Sequence, residues 1–178
     1  SFELNVPADA FNDALAITGG QGSILIGSTD TQVVFVAGNT TYVARRIEGV
    51  YPNYKALLPA ACATTVKIDV AALTSALKRV STVAQANSAV KFDISTETGS
   101  MVLSAISNDQ DAATATVEVE AEGASGIIAF NYHYIFGCLN VLSREKEITL
   151  ELQSYNQAGV FKSYDKINYL YLVMPVRI

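Results

Sequence analysis

The sequence is poor in the residues that build chemical centres. It has two cysteines and one histidine in 178 residues. Cys62 and Cys138 stand far apart, no C-x-x-C occurs, and His133 has no second imidazole to act with. A zinc site needs about four such ligands at close spacing, so neither a metal nor any other cofactor is expected. A disulfide between the two cysteines stays open. No basic segment followed by an apolar stretch opens the chain, however, and two free thiols in a reducing, cytoplasmic setting are the plainer expectation. Long apolar runs are missing too. None approaches the roughly 20 residues of a membrane helix, so a mean hydropathy of +0.26 reflects a packed core and no membrane association. Charge is scarce, at 16% of residues, with seventeen acids against twelve bases. That balance excludes a protein gripping nucleic acid by overall basicity, while leaving room for a local basic face.

What the chain does have is an internal repeat. Phe2-Glu-Leu4-Asn-Val6 is followed by Phe11 and Leu15, Val66-Lys-Ile68-Asp-Val70 by Leu73 and Leu77, and Ile128-Ala-Phe130 by Ile135 and Leu139. Each is an alternating strand leading into apolar residues at helical spacing, and the equivalent positions Val6, Ile68 and Phe130 are spaced 62 residues apart both times. Further strands follow each helix. They are Ser23–Ile26, Gln32–Ala37 and Thr41–Arg46 in the first unit, then Ala89–Ile94, Met101–Ile106 and Thr114–Glu122 in the second. The third has Glu147–Leu152, Gly159–Ser163 and Asn168–Met174. The fold class is therefore α+β: a β-α-β-β-β unit three times over, its short connections making antiparallel neighbours and its helix covering one sheet face. Pro7 suits a first helical turn, Gly19-Gly20 a helix stop, and Asp69 an N-cap, with Lys78 and Arg79 in the C-terminal half of their helix. A Pro-punctuated connector, residues 48–59, separates the first unit from the other two, which Gly123-Ala-Ser125-Gly126 joins directly.

Candidate chemistry is thin. Gly19, Gly20 and Gly22 lack the lysine of a phosphate loop and follow a helix, so a helix stop is the better reading. Glu118, Glu120 and Glu122 share one strand face, where solvation is a plainer role than cation binding. Arg45 and Arg46 point to opposite faces of a strand. His133 has no nucleophile–base set, and no enzyme is expected. Lys78 and Arg79 lie on a polar helix face that could equally meet phosphate or water. The terminal run Tyr169-Leu-Tyr-Leu-Val-Met174-Pro175-Val-Arg177-Ile178 is too apolar for a frayed tail. Pro175 ends its ladder and should turn the tail outward, and an exposed Met/Val/Ile end beside Pro52 and Leu57 would suit a peptide.

The connector Glu48-Gly-Val-Tyr51-Pro52-Asn53-Tyr54-Lys-Ala-Leu57-Leu58-Pro59, the terminal Leu172-Val-Met174-Pro175-Val176-Arg177-Ile178, and Phe130-Asn131-Tyr-His-Tyr134 with Leu139-Asn140 resemble the bacterial DNA polymerase III sliding clamps, the beta subunits. The resemblance runs over the whole chain and implies the DNA clamp fold, with antiparallel sheets outside and helices on the inner face. It implies residues 1–57 as the second half of the clamp's middle domain plus connector, and 58–178 as the complete third domain. It further implies a non-catalytic processivity factor for DNA replication. Two full-length protomers would close a homodimeric ring around duplex DNA, held topologically with weak direct contact, while this fragment could not close the ring. Lys78 and Arg79 would face the DNA, whereas the first helix offers Asp9 and Asp13 and no base.

The implied partners are the polymerase III catalytic subunit, the clamp loader and other polymerases, each docking a linear motif. The implied groove comprises Pro52, Leu57, Asn131, Tyr134, Leu172, Met174, Pro175, Val176 and Arg177, with Leu172 and Met174 as floor and Asn131 and Arg177 as polar anchors. With the first half of the middle domain outside this sequence, peptide binding is expected to be reduced or absent. A peptide-binding adaptor built on the same repeat without encircling DNA is the alternative reading.

Overall fold

The computed structural model describes residues 3–18, 22–59, 61–84, 88–106 and 112–177. Phe2, Gly19, Gly20 and Ile178, all used above, lie outside them. The chain forms two compact lobes, Ser1–Asn53 and Tyr54–Ile178.

The N-terminal lobe holds helix α1 (Ala8–Thr18) and a meander of β1 (Leu25–Ser28), β2 (Gln32–Ala37) and β3 (Thr40–Arg45). The C-terminal lobe opens on a 3-10 turn, Tyr54–Leu57. Then come β4 (Thr64–Asp69), α2 (Val70–Ser81), β5 (Ala89–Ser95), β6 (Ser100–Ile106) and β7 (Ala112–Gly123). The last repeat is β8 (Gly126–Asn131), α3 (Tyr132–Val141), β9 (Glu147–Leu152), β10 (Gly159–Ser163) and β11 (Tyr169–Val173). The three helices begin at residues 8, 70 and 132, keeping the 62-residue period. Asp69 and Asn131 cap α2 and α3 at equivalent positions, their side chains accepting from Ala72 N and His133 N. Each cap satisfies one amide that the helix leaves unpaired.

In the C-terminal lobe the strand order is β11-β10-β9-β4-β7-β6-β5-β8, antiparallel throughout. Exchanging the second and third repeats maps one half of this order onto the other, so the lobe has a pseudo-two-fold axis. Each repeat lends its first strand to its sibling: β4 pairs with β9, and β8 with β5. Leu73, Leu77, Ile135 and Leu139 from the helices meet Val66, Phe92, Phe130, Leu150 and Phe161 from the sheet in one continuous core. Alternation along β5 and β9 places every second residue in that core, as a half-buried strand requires.

Own-repeat seams follow one rule. In the second repeat β4 and β7 form a full ladder in which Lys67 faces Glu120. At the equivalent place in the third repeat, Val176 N donates to Ala129 O (2.9 Å), and in the first, Ile47 N donates to Asn5 O (2.8 Å). The tail after β11 therefore bends back to β8, contrary to the outward turn expected from Pro175. Proline does interrupt the ladder, since it has no amide to donate, but the next residue resumes it.

One further expectation fails in the N-terminal lobe. Residues 3–7, expected to open the first repeat as a strand, form none. Phe11 is 47% exposed and Leu15 also exposed, although their counterparts Leu73, Leu77, Ile135 and Leu139 are buried. The small core there is Ala10, Ala14, Val33 and Phe35, with Phe11 touching Phe35 edge-on at 5.6 Å between ring centroids. A helix covered from one side only buries its small residues against the sheet and leaves the larger neighbours half outside.

Candidate functional site

Comparing repeats at equivalent backbone positions isolates the place where the third departs from the second. On the outer face of β7 stand Thr114, Thr116 and Glu118, all exposed. The same positions along β11 and its tail carry Leu170, Leu172 and Met174. Across the seam, Thr65 and Lys67 on β4 become Ile127 and Ala129 on β8. Backbone geometry alone does not require this change, because the same positions are polar in the sibling. It leaves Met174 62% and Ile127 45% exposed on one side of the lobe. Apolar side chains held out on a rigid sheet are the signature of a docking surface.

Two neighbouring depressions lie there. One, of about 620 Å³, is lined by Ile127, Ala129, Tyr155, Met174, Pro175 and Arg177, among others. The second, of about 480 Å³, is lined by Leu57, Pro59, Gln153, Gln157 and Ala158, with Met174 and Asn156 shared between the two. Leu57 reaches the second because the 3-10 turn belongs to this lobe.

The wall formed by Tyr155 is built by a close approach. A Cβ on Gly126 would stand 2.5 Å from the Tyr155 ring, and the Tyr155 hydroxyl donates to Ala124 O. A side chain at 126 would push this ring away from the start of β8.

Of the residues named from sequence, Leu57, Met174, Pro175, Val176 and Arg177 line these depressions. Asn131, Tyr134 and Leu172 do not. The Asn131 carbonyl oxygen is engaged as the α3 cap, accepting from His133 N at 3.0 Å. Tyr134 is exposed on the first turn of α3, and Leu172 is half-buried on the outer face opposite Val160. Pro52 is exposed and belongs to the other lobe. Sequence reasoning missed Ile127, Tyr155 and Asn156. The first was legible as an apolar residue at a position where the sibling strand carries threonine. The turn residues gave no signal, since nothing local ties 155–156 to a tail twenty residues on.

Lys78 and Arg79 are exposed in the last turn of α2, with no ion pair among the described residues. The glutamate triplet is solvated, Glu120 pairing with Lys67 at 3.3 Å, and no group of three metal-ligating side chains occurs among the described residues. Arg46 turns inward, its Nη1 donating to Thr29 O and Asp30 O, while Arg45 is exposed. His133 lies against the Tyr132 ring.

Both cysteines are free. Burial pushes the Cys138 thiol up to about 12, whereas Cys62 is exposed. Thiolate is the reactive form, so one fast-reacting thiol is expected with an aromatic disulfide reagent on the native protein and two after denaturation. Equal fast reaction of both would contradict this packing. The linkage sign is set by the same burial. Above the ordinary thiol value of 9.0 the unfolded chain ionises Cys138 and the native one does not, so stability falls between that pH and about 12.

Residues 55–177 match the family model described as DNA polymerase III beta subunit, C-terminal domain. The beta sliding clamp of Synechocystis is 31% identical over 181 aligned residues, covering 99% of this chain and 46% of the relative. Among solved structures, the DNA polymerase III beta subunit of Thermotoga maritima superposes with a TM-score of 0.85 at 26% identity, covering 97% of this chain and 47% of that one. The Streptococcus pneumoniae beta chain gives a TM-score of 0.89 at 22% identity, a likeness of fold, over 99% of this chain and 48% of its own. The chain thus spans about half the length of the relatives it matches. With sequence and fold in agreement along its whole length, the chain belongs to the DNA polymerase III beta subunit family, and residues 55–177 are that family's C-terminal domain.

Proposed function

We propose that the chain is part of a replicative processivity clamp that encircles duplex DNA and docks partner proteins by short linear motifs. The C-terminal lobe is read as the third clamp domain and the N-terminal lobe as the second half of the middle domain. In the full-length protein, two protomers close a ring in the cytoplasm. The polymerase III catalytic subunit, the clamp loader and other polymerases bind through the groove around Met174. The role is non-catalytic. One observation carries the docking part: polar outer-face positions in the second repeat are apolar in the third, around two depressions. No feature favours the adaptor reading.

Topological tethering asks little of direct DNA contact, which fits a chain of net charge −5 with a few exposed bases on one helix. Lys78 and Arg79 are those bases. Weak, salt-sensitive association with a duplex oligonucleotide is expected from fluorescence anisotropy. The Lys78→Ala, Arg79→Ala double variant should reduce the slope of log K against log salt by about 2, one for each phosphate no longer neutralised. An unchanged slope would remove these residues from the DNA face.

A further inference from the structure

The second and third repeats differ in one backbone rung as well as in their outer side chains. In the second, β6 and β7 pair as far as Ser100 opposite Glu118. One rung more ties β7 to the β5–β6 turn, Val119 N donating to Gly99 O at 2.9 Å. In the third, β10 and β11 pair only as far as Gly159 opposite Val173, the counterparts of Met101 and Val117. Ala158 and Met174 therefore stand where Ser100 and Glu118 pair, and Gln157 and Pro175 stand where Gly99 and Val119 bond. Proline has no amide to donate. The rung is missing for a covalent reason.

Direction agrees with this correspondence. Successive amides of an extended chain point to opposite sides. That of Val176 goes to Ala129 O on β8, so position 175 faces the β9–β10 turn, residues 153–158. Among the described residues, no backbone amide donates to Gln157 O. The turn is held without the tail: the Tyr155 hydroxyl donates to Ala124 O, and Ser154 Oγ donates to Asn156 Oδ1 at 2.7 Å. The second depression lies where the rung is missing. Gln157, Ala158 and Met174 all line it, and no charged residue does.

We propose that Pro175 positions the docking groove by withholding this rung, and that the Gln157 carbonyl accepts a backbone amide of the docked peptide in its place. This role rests on the docking function proposed above and names the main-chain group that a motif meets. A carbonyl left open at the end of a ladder is where an added extended segment gains a backbone bond. The occupant is an extended peptide because the walls offer apolar surface and neutral carboxamides, Leu57, Pro59 and Met174 with Gln153 and Gln157, and no counter-charge. A main-chain amide is common to peptides of any sequence, so one carbonyl can serve several partners.

The test uses the whole chain and Pro175→Val, which installs the sibling repeat's residue, with Pro175→Ala beside it and circular dichroism as the folding control. Without peptide, the new amide at position 175 should exchange with solvent at least about tenfold more slowly than an open amide. A labelled peptide of the Gln-Leu-x-Leu-Phe type should bind both variants about tenfold more weakly, the loss of one backbone hydrogen bond. Methylating the peptide's backbone nitrogens one at a time should find one position that costs about tenfold on the unchanged chain. The same methyl group should cost little on Pro175→Val, since both changes remove one bond. Fast exchange at position 175 in both variants overturns the closing of the rung, and slow exchange with unchanged affinity overturns its part in docking. The methylation series needs no variant: if no single position is sensitive, the Gln157 carbonyl is not the acceptor. A peptide that fails to bind the unchanged chain removes the docking reading and the acceptor role with it. The exchange rate then decides separately whether proline parts the turn from the tail.

Discussion

Met174→Glu is expected to weaken binding of a labelled peptide of the Gln-Leu-x-Leu-Phe type by about 30-fold or more, read by fluorescence polarisation. Met174 is the apolar residue common to both depressions, exposed between the end of β11 and Pro175. A carboxylate there puts charge where apolar peptide side chains must be desolvated. Central anchors of this kind account for about 2 kcal/mol or more, which converts to that ratio at 1.4 kcal/mol per tenfold. Both depressions are lined by residues of the C-terminal lobe, so saturable though weak binding is expected from the 178-residue chain. The depressions are open, and affinity will depend on a few anchors more than on area. If the glutamate variant binds within a small factor of wild type, the peptide seat is elsewhere and the docking reading loses its supporting surface.

Gly123→Ala should cost about 3 kcal/mol of stability in the C-terminal lobe, seen as a lower urea midpoint at unchanged slope. Gly123 ends β7 with φ of +104°, a conformation L-residues rarely adopt. An added Cβ would also strike the Ala63 carbonyl, with the Ala63 carbonyl carbon at 3.0 Å and Thr64 Cα at 2.9 Å. Backbone atoms cannot rotate aside as a side chain would, so the β4·β7 seam must part at Thr64–Gly123. Thr64 is tied there as well, its hydroxyl donating to Ala124 O at 3.0 Å. Gly137 is the counter-case. It lies within α3 with no atom near its missing Cβ, and Gly137→Ala should stabilise the lobe by about 0.5–1 kcal/mol. A loss at Gly123 no larger than about 0.5 kcal/mol, the ordinary range for surface changes, would show that the seam yields easily.

The two seams explain why some of the site was readable and some was not. Helix starts at 8, 70 and 132, and the strands of the second and third repeats, follow from local alternation and caps. Side-chain period and capping chemistry are properties of a few consecutive residues. The terminal apolar run was legible as a surface because a chain end with so little polarity must be held by something. Tyr155 and Asn156 were not legible, because their place beside Met174 depends on the β9–β10 turn passing over Gly126. Asn131 and Tyr134 lie near the site in sequence terms but are directed by helix geometry, the one into a cap and the other along α3.

The amino-acid sequence by itself determined the β-α-β-β-β repeat, its period, the antiparallel character of its sheets, the scarcity of metal-ligating side chains, and the apolar tail. These rest on composition and on interactions between near neighbours. Tertiary structure alone decided the exchange of first strands between sibling repeats and the return of the tail to β8. Each of those depends on which strand edge or helix face finds a partner from elsewhere in the chain. No pattern within one repeat specifies that choice, because it rests on residues of another repeat.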